Sequence, residues 1–142
     1  MKYFFPRRKL TTNELSLVPE GLWKLFIARL IVSLFQSSKY LPSNLHNTII
    51  FPTQEEFKAA QTIAFVINGL SARTPWPSTC LVKVLAAHNM LKKRKIPHLL
   101  HFGVKKNTFN QLDAHSWLSV DKEIIIGGDN VDYYKEISQI II

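Results

Sequence analysis

The single cysteine of this sequence lies at the predicted start of a helix, a position that increases the reactivity of a thiol. Cys80 directly follows Ser78-Thr79, and both of these hydroxyl side chains are good helix N-caps. From Leu81 onward apolar residues recur at helical spacing, so a helix is predicted to begin at Cys80. The unpaired N–H groups and the dipole of a first helical turn stabilise a thiolate. Cys80 is therefore a candidate nucleophile, although a lone thiol is more often a buried structural cysteine.

A thiolate nucleophile needs a base, and His115 is the histidine best placed to supply one. It begins a predicted strand and is followed by Ser116-Trp117. If the helix of Cys80 packs on the sheet, the start of a strand can meet the start of that helix. The other histidines are predicted to lie in a loop, on the third helix and on the first strand; they are His46, His88, His98 and His101.

The sequence does not favour a metal site. Histidines at i and i+3 on a strand, such as His98 and His101, point to opposite faces of the sheet. A single cysteine excludes both an intrachain disulfide and a zinc site built from several cysteines. We therefore predict no metal and no other cofactor.

Three helices are predicted in the first two thirds of the chain. The first covers the apolar stretch from Leu22 to Phe35. The second opens with a capping box formed by Thr53 and Glu56. The third begins at Cys80 and ends in the basic run Lys92–Lys95, whose positive charges suit a helix C-terminus.

Three strands are predicted after the helices, because the apolar period changes from 3.6 to 2 at His98. The predicted strands are His98–Val104, Ala114–Val120 and Glu123–Ile126, with turns at Lys105–Asn107 and Asp121-Lys122. Helices followed by an antiparallel meander indicate an α+β fold. Since 142 residues suit one domain, we predict a single domain over 1–142, with an N-terminal helical region at 1–50 and the core at 51–142.

The net charge is +8, and the basic residues include two clusters, Arg7-Arg8-Lys9 and Lys92–Lys95. Neither cluster alternates with aromatic residues as in an RNA-binding sheet, so no nucleic acid partner is expected. The sequence shows no secretory signal at its N-terminus. The stretch Leu22–Phe35 contains two basic residues and is too short to span a bilayer. A cytoplasmic protein is expected, and membrane association is not favoured.

Several short segments occur in an order that is typical of one family. They are Arg73-Thr74-Pro75-Trp76, Ser78-Thr79-Cys80-Leu81, Lys92–Pro97, Leu100–Val104, Ala114-His115-Ser116-Trp117 and Ile126-Gly127-Gly128. Together they resemble the leader peptidases of lasso peptide biosynthesis, within the transglutaminase-like superfamily. The resemblance covers Ala72 to Gly128.

The resemblance implies a papain-like arrangement, in which a helix supplies the cysteine and adjacent strands supply the histidine and an acid. It assigns these first two roles to Cys80 and His115. It also implies the reaction, which is hydrolysis of the bond between leader and core in a ribosomally made precursor peptide. The expected partners are that precursor, a separate leader-recognition protein and a separate cyclase that closes the lasso ring.

The third catalytic group is less well defined than the first two. In many relatives an aspartate follows the histidine on the next strand, about where this sequence has Gly127. Asp129 is the nearest acid in that direction and is our candidate. If Val120 pairs with Glu123 across the hairpin turn, counting back places His115 opposite Gly128, one residue before Asp129. A dyad without an acid remains an alternative, as does a third group supplied by Asn130, Asp132 or a backbone carbonyl.

Three other functions are compatible with the sequence. The same cysteine–histidine chemistry could transfer the acyl group to an amine rather than to water. A basic, non-catalytic module could hold an acidic leader for another enzyme, and it would tolerate the loss of Cys80. A membrane-surface protein could be anchored through Leu22–Phe35.

Overall fold

The computed structural model describes residues 10–34, 51–76, 78–129 and 131–141. Within them the chain forms helices and then a sheet, so the predicted α+β class is confirmed. The elements are α1 (Thr12–Leu34), α2 (Gln54–Ser71), α3 (Cys80–Lys93), β1 (Leu99–Lys106), β2 (Leu112–Val120), β3 (Glu123–Ile126), a short 3-10 helix (Val131–Tyr133) and β4 (Lys135–Ile141). Two predicted features, the end of the first helix at Phe35 and the loop that contains His46, lie outside the described residues.

The first helix begins about three turns earlier than its apolar stretch predicts. Its start is fixed by a capping box: the Glu14 N–H donates to Thr11 Oγ1 at 3.3 Å, and the Thr11 N–H donates to a Glu14 carboxylate oxygen at 2.8 Å. The predicted helical region is therefore present, and polar capping rather than the apolar run determines where α1 begins.

The starts of α2 and α3 agree with the predictions. Thr53 and Glu56 form the expected capping box, with distances of 3.2 and 2.7 Å for its two hydrogen bonds. Helix α3 begins at Cys80, and its N-cap is Thr79, whose hydroxyl accepts from the Val82 N–H at 3.5 Å. The sequence thus placed the candidate nucleophile correctly at a helix start.

The basic run at the end of α3 makes contacts within the fold. Arg94 caps the helix and forms an ion pair with Glu20 of α1, with 2.6 Å between Nη2 and a carboxylate oxygen. Arg94 lowers the pKa of the Glu20 carboxyl by hydrogen bonding and by its charge. Lys93 lies 3.5 Å from the same carboxylate. These contacts support the interpretation of Lys92–Lys95 as a helix terminus that also ties α3 to α1.

The four strands form an antiparallel sheet in the order β3-β2-β1-β4. The three predicted strands are present, but β4 was not predicted, so the sheet is more than a meander. The turn between β1 and β2 spans Asn107–Gln111, where the Asn107 side chain accepts from two backbone N–H groups at 3.0 Å each. The predicted turn at Lys105–Asn107 was too early, because Lys105 and Lys106 still pair with β2.

The two faces of the sheet have different surroundings. Leu100, Leu118, Val120 and Ile126 belong to the hydrophobic core that the helices form on one face. Side chains alternate along a strand, so His115, Trp117 and Ser119 of β2 point to the opposite face. The candidate base therefore lies on the sheet face away from the helical core.

Candidate active site

Cys80 has the surroundings expected of a helix-start nucleophile. It is a free thiol, partly exposed, and the first residue of α3. The N–H groups of the first helical turn have no acceptor inside the helix, and the Thr79 hydroxyl accepts only one of them. The N–H groups of Cys80 and Leu81 can therefore donate to an anion that forms beside the sulfur.

The loop before Cys80 is held by hydrogen bonds of one threonine. The Thr74 hydroxyl lies 3.2 Å from the Ser71 carbonyl, 3.2 Å from the Trp76 carbonyl and 3.1 Å from the Ser78 hydroxyl. The Trp76 ring packs edge-on against Phe26 of α1, with 5.9 Å between ring centroids. Packing against α1 favours a structural corner for Trp76 over a role in lining a substrate cleft.

The imidazole of His115 is fixed by three neighbours. Its Nε2 lies 2.8 Å from the Gly127 carbonyl oxygen, and its ring contacts Tyr134 at 4.9 Å and Trp117 at 5.9 Å between centroids. A carbonyl oxygen only accepts hydrogen bonds, so Nε2 carries the proton. In the neutral ring, Nδ1 then has the lone pair and is the nitrogen that can act as a base.

Gly127 presents a backbone carbonyl where the resemblance leads one to expect a carboxylate. Its φ of +75° lies in the left-handed region, and an added Cβ would lie 2.6 Å from the Ser116 carbonyl oxygen. A side chain is therefore excluded at this position. In the sequence, Ile126-Gly127-Gly128 is one of the segments that carry the resemblance, and Gly127 occupies the expected acid position. That glycine was the signal for a backbone carbonyl in place of a carboxylate.

The predicted register around Asp129 was wrong by one residue. Val120 pairs with Glu123 as expected, but Leu118 pairs with Ile126 because of a bulge between Leu118 and Ser119. Asp129 follows the end of β3 by three residues and lies just before the 3-10 helix. Its role as the third catalytic group stays a prediction. Asp121 lies at the other end of β2, in the hairpin turn, as predicted.

Cys80 and His115 lie on elements that begin at the same end of the domain. Residues 94–98 connect α3 to β1 directly, and the start of β1 pairs with the end of β2. A helix that packs back over the sheet after so short a connection runs parallel to β2, so α3 and β2 also finish at the same end. Measured from that finishing end, Cys80 lies roughly 20 Å away at about 1.5 Å per residue. His115 lies roughly 17 Å from it at about 3.3 Å per residue.

The structure does not join the two side chains directly. Among the described residues no hydrogen bond links the Cys80 thiol to the His115 imidazole, whose Nε2 is bonded to Gly127 instead. Helix α3 lies on the core face of the sheet, whereas His115 points to the other face. The only place where the two side chains could meet is therefore the end of the sheet where β2 begins, not its face.

Two other histidines form a pair away from this end. His88 Nδ1 lies 2.8 Å from His98 Nε2, and His98 Nδ1 lies 2.7 Å from the Ile96 carbonyl oxygen. The carbonyl requires a proton on His98 Nδ1, so His88 is the donor to His98. Burial lowers the pKa of His88 to about 4 and also lowers that of His98. Within the described residues no group of three or more metal-ligating side chains occurs.

The sequence profile of one family matches residues 40–139, a segment that contains α2, α3 and the sheet except for the last two residues of β4. The chain belongs to the transglutaminase-like superfamily. Cys80, His115 and Asp129 all lie inside the matched segment of this superfamily domain, whereas α1 precedes it. Searches of curated proteins and of solved structures found no match. Among the described helices, none is both long and apolar enough to cross a bilayer.

Proposed function

We propose that the chain is a cysteine peptidase in which Cys80 is the nucleophile and His115 the general base. The observation that supports this most directly is the hydrogen bond from His115 Nε2 to the Gly127 carbonyl, since it leaves Nδ1 as the proton acceptor. The place of Cys80 at the start of α3 and membership of the transglutaminase-like superfamily are consistent with it.

The mechanism follows from these groups. His115 Nδ1 takes the proton of the Cys80 thiol, and the sulfur attacks the scissile carbonyl carbon. The N–H groups at the start of α3 donate to the oxyanion. His115 returns the proton to the leaving amine, and the carbon–nitrogen bond breaks to give a thioester. Water then attacks the thioester carbon while His115 takes one of its protons, and the carbon–sulfur bond breaks. His115 returns this proton to the sulfur, and the acid product ionises to a carboxylate; these steps use no metal or nucleotide.

The proposed substrate is a ribosomally made lasso-peptide precursor, from which the enzyme removes the leader before ring closure. This specificity rests on the ordered segments that resemble lasso leader peptidases. On this proposal a separate protein binds the leader and presents it to the peptidase, and a separate cyclase then closes the ring. The net charge of +8 favours an acidic leader through long-range attraction.

Acyl transfer to an amine is a second candidate, because it is the reaction for which the superfamily is named. Both reactions share the thioester and differ only in the acceptor that attacks it. Cleavage in isotopically labelled water distinguishes them by the mass of the released leader. Hydrolysis places one labelled oxygen in the new carboxylate, whereas transfer replaces it with the amine and leaves the leader unlabelled. Label in the leader supports the peptidase; an amine adduct without label would refute it.

A further inference from the structure

A cluster of polar side chains lies beside the candidate base on the same face of the sheet. His101 of β1 is bonded through Nδ1 to a Glu136 carboxylate oxygen of β4 at 2.7 Å, and through Nε2 to the Ser119 hydroxyl of β2 at 2.7 Å. His101 and Ser119 are only 7% and 5% exposed. Since a carboxylate accepts hydrogen bonds, His101 Nδ1 carries a proton. Partners on both nitrogens fix the plane of the His101 ring.

Trp117 connects this cluster to His115. The strand register places His101 opposite Trp117, and their rings are stacked with 5.4 Å between centroids and 4° between planes. His115, two residues before Trp117 on the same face, contacts the indole at 5.9 Å and 27°. The indole therefore has an imidazole contact from each of the two neighbouring histidines, and it is itself 4% exposed.

The glycine opposite His115 makes room for this arrangement. Gly103 pairs with His115 across the strands, and an added Cβ at Gly103 would lie 2.8 Å from the Trp117 ring and 3.0 Å from the Tyr134 Cβ. Both rings that contact His115 thus depend on the absence of a side chain at this point. The packing leaves little freedom for the indole to adopt another orientation.

The order of groups in the cluster, carboxylate, imidazole and hydroxyl, is that of a hydrolase triad. Burial of the Ser119 hydroxyl argues against a second nucleophile, because a peptide carbonyl would have to reach an atom enclosed by the sheet. The hydrogen bonds of the cluster instead hold the His101 ring against the neighbouring Trp117 ring. In many active sites, residues outside the reacting groups orient those groups in this way.

We propose that His101 is a positioning residue for His115, acting through Trp117. Glu136 and Ser119 fix the His101 ring, the stacked His101 ring fixes the indole, and the indole limits rotation of His115 away from the Gly127 carbonyl. The effect on catalysis rests on the proposed function. The effect on the His115 tautomer does not, because that tautomer exists whether or not the chain cleaves a peptide.

The test uses the full chain with His101→Leu, which removes both hydrogen bonds and the stacked ring. A second pair of variants, Glu136→Ala and Glu136→Gln, is made at a side chain that is 40% exposed, so folding is retained. Glutamine keeps an oxygen that accepts from His101 Nδ1, whereas alanine does not. Glu123→Ala on β3 is the matched control for loss of a strand glutamate.

Two readouts are compared, the imidazole nitrogen chemical shifts of His115 and the steady-state constants for precursor cleavage. In the wild type the shifts should show a proton on Nε2 alone. In His101→Leu and Glu136→Ala they should move toward the average of two tautomers, and kcat should fall about tenfold with KM within about twofold. Glu136→Gln and Glu123→Ala should resemble the wild type in both respects.

Unchanged His115 shifts in folded Glu136→Ala and His101→Leu would overturn the positioning role. A fall in kcat that Glu136→Gln does not rescue would also overturn it, because it would indicate a charge effect and not ring orientation. If the wild type cleaves no precursor, the proposed function fails, yet the chemical shifts still decide whether His101 positions His115.

Discussion

The hydrogen bond between His115 Nε2 and the Gly127 carbonyl determines which ring nitrogen can accept a proton. It also depends on a residue type, because Gly127 has a φ of +75° and no space for a Cβ. Glycine adopts this conformation without the steric cost that other residues bear. At the scale of single residues, the site therefore relies on a glycine as much as on the cysteine and the histidine.

Gly127→Ala should destabilise the protein by about 1–3 kcal/mol and lower kcat/KM. The positive φ is unfavourable for alanine, and the new Cβ would clash with the Ser116 carbonyl oxygen. Gly128→Ala is the matched control, because its nearest neighbour would be Ile124 Cγ2 at 3.4 Å. Urea denaturation and precursor cleavage measure the two effects. Equal stability of the two variants would contradict the strained geometry assigned to Gly127.

Asp129→Ala should lower kcat/KM more than Asp121→Ala does, because only Asp129 lies near the end of β3 that His115 contacts through Gly127. A nearby carboxylate stabilises the imidazolium that forms during attack. The Gly127 carbonyl already holds the tautomer, so we expect a loss of about tenfold, which is smaller than the usual contribution of an acid–base group. Circular dichroism confirms folding of both variants. Equal rates would mean that the carbonyl completes the site without an acid.

Among the secondary-structure elements, the helix starts were predicted best, because capping motifs mark them in the sequence. Thr53 and Thr79 marked the starts of α2 and α3 correctly, because the hydrogen bonds that cap a helix are local in sequence. The same motif at Thr11 and Glu14 starts α1 well before the apolar run that begins at Leu22. The start of α1 therefore also follows from a local sequence rule.

The bulge and the fourth strand were harder to predict than the helix starts. The bulge next to Ser119 shifts the pairing of β2 with β3, and no local sequence rule fixes its position. Strand β4 pairs with β1 over a long separation in sequence, although its three isoleucines, Ile137, Ile140 and Ile141, suit a strand. The strand register near His115 therefore could not be predicted from the sequence and was obtained from the structure.

The His88–His98 pair, between α3 and the segment leading to β1, should make stability depend on pH. The native pKa of His88 is lowered to about 4 from an ordinary value of 6.5, mainly by burial. Between these pH values the unfolded chain binds a proton that the native state does not, so stability should rise as pH increases across that window. His98 contributes with the same sign, because its pKa is also lowered.

His88 should raise the free energy of unfolding by an amount on the order of 2–3 kcal/mol between pH 4 and 6.5. Urea midpoints at several pH values measure it in the wild type and in His88→Phe. The variant should lose most of the slope because it has no group to protonate at this position. A wild-type stability that does not change across the window would contradict the assignment of a neutral, buried pair.

For the molecule as a whole, α1 lies before the segment that the superfamily profile matches. It packs on α2 and α3 and is tied to α3 by the Arg94–Glu20 ion pair. Its outer side exposes apolar residues at helical spacing, namely Leu15, Leu22, Trp23, Phe26, Leu30 and Leu34. This stripe is our predicted docking area for the leader-recognition protein, and the basic surface of the chain is the alternative.

Efficient cleavage should require that partner, because binding of the leader raises the local concentration of the scissile bond. We expect the partner to raise kcat/KM of the wild type about a hundredfold or more. Trp23→Lys, at a side chain that is 60% exposed, should reduce this stimulation without changing the basal rate. Rates measured with and without the partner test both statements. Cleavage at one rate in both conditions would contradict the requirement for a partner.

The most direct test of the peptidase assignment is mass spectrometry of the cognate precursor after incubation with the chain and its leader-recognition partner. Wild type and Cys80→Ala are compared, with circular dichroism confirming that the variant is folded; alanine changes little volume at this partly exposed position. We expect the wild type to yield leader and core whose masses sum to that of the precursor plus one water. Cys80→Ala should yield neither above background. Cleavage by folded Cys80→Ala at the wild-type rate would contradict the role of Cys80 as the nucleophile.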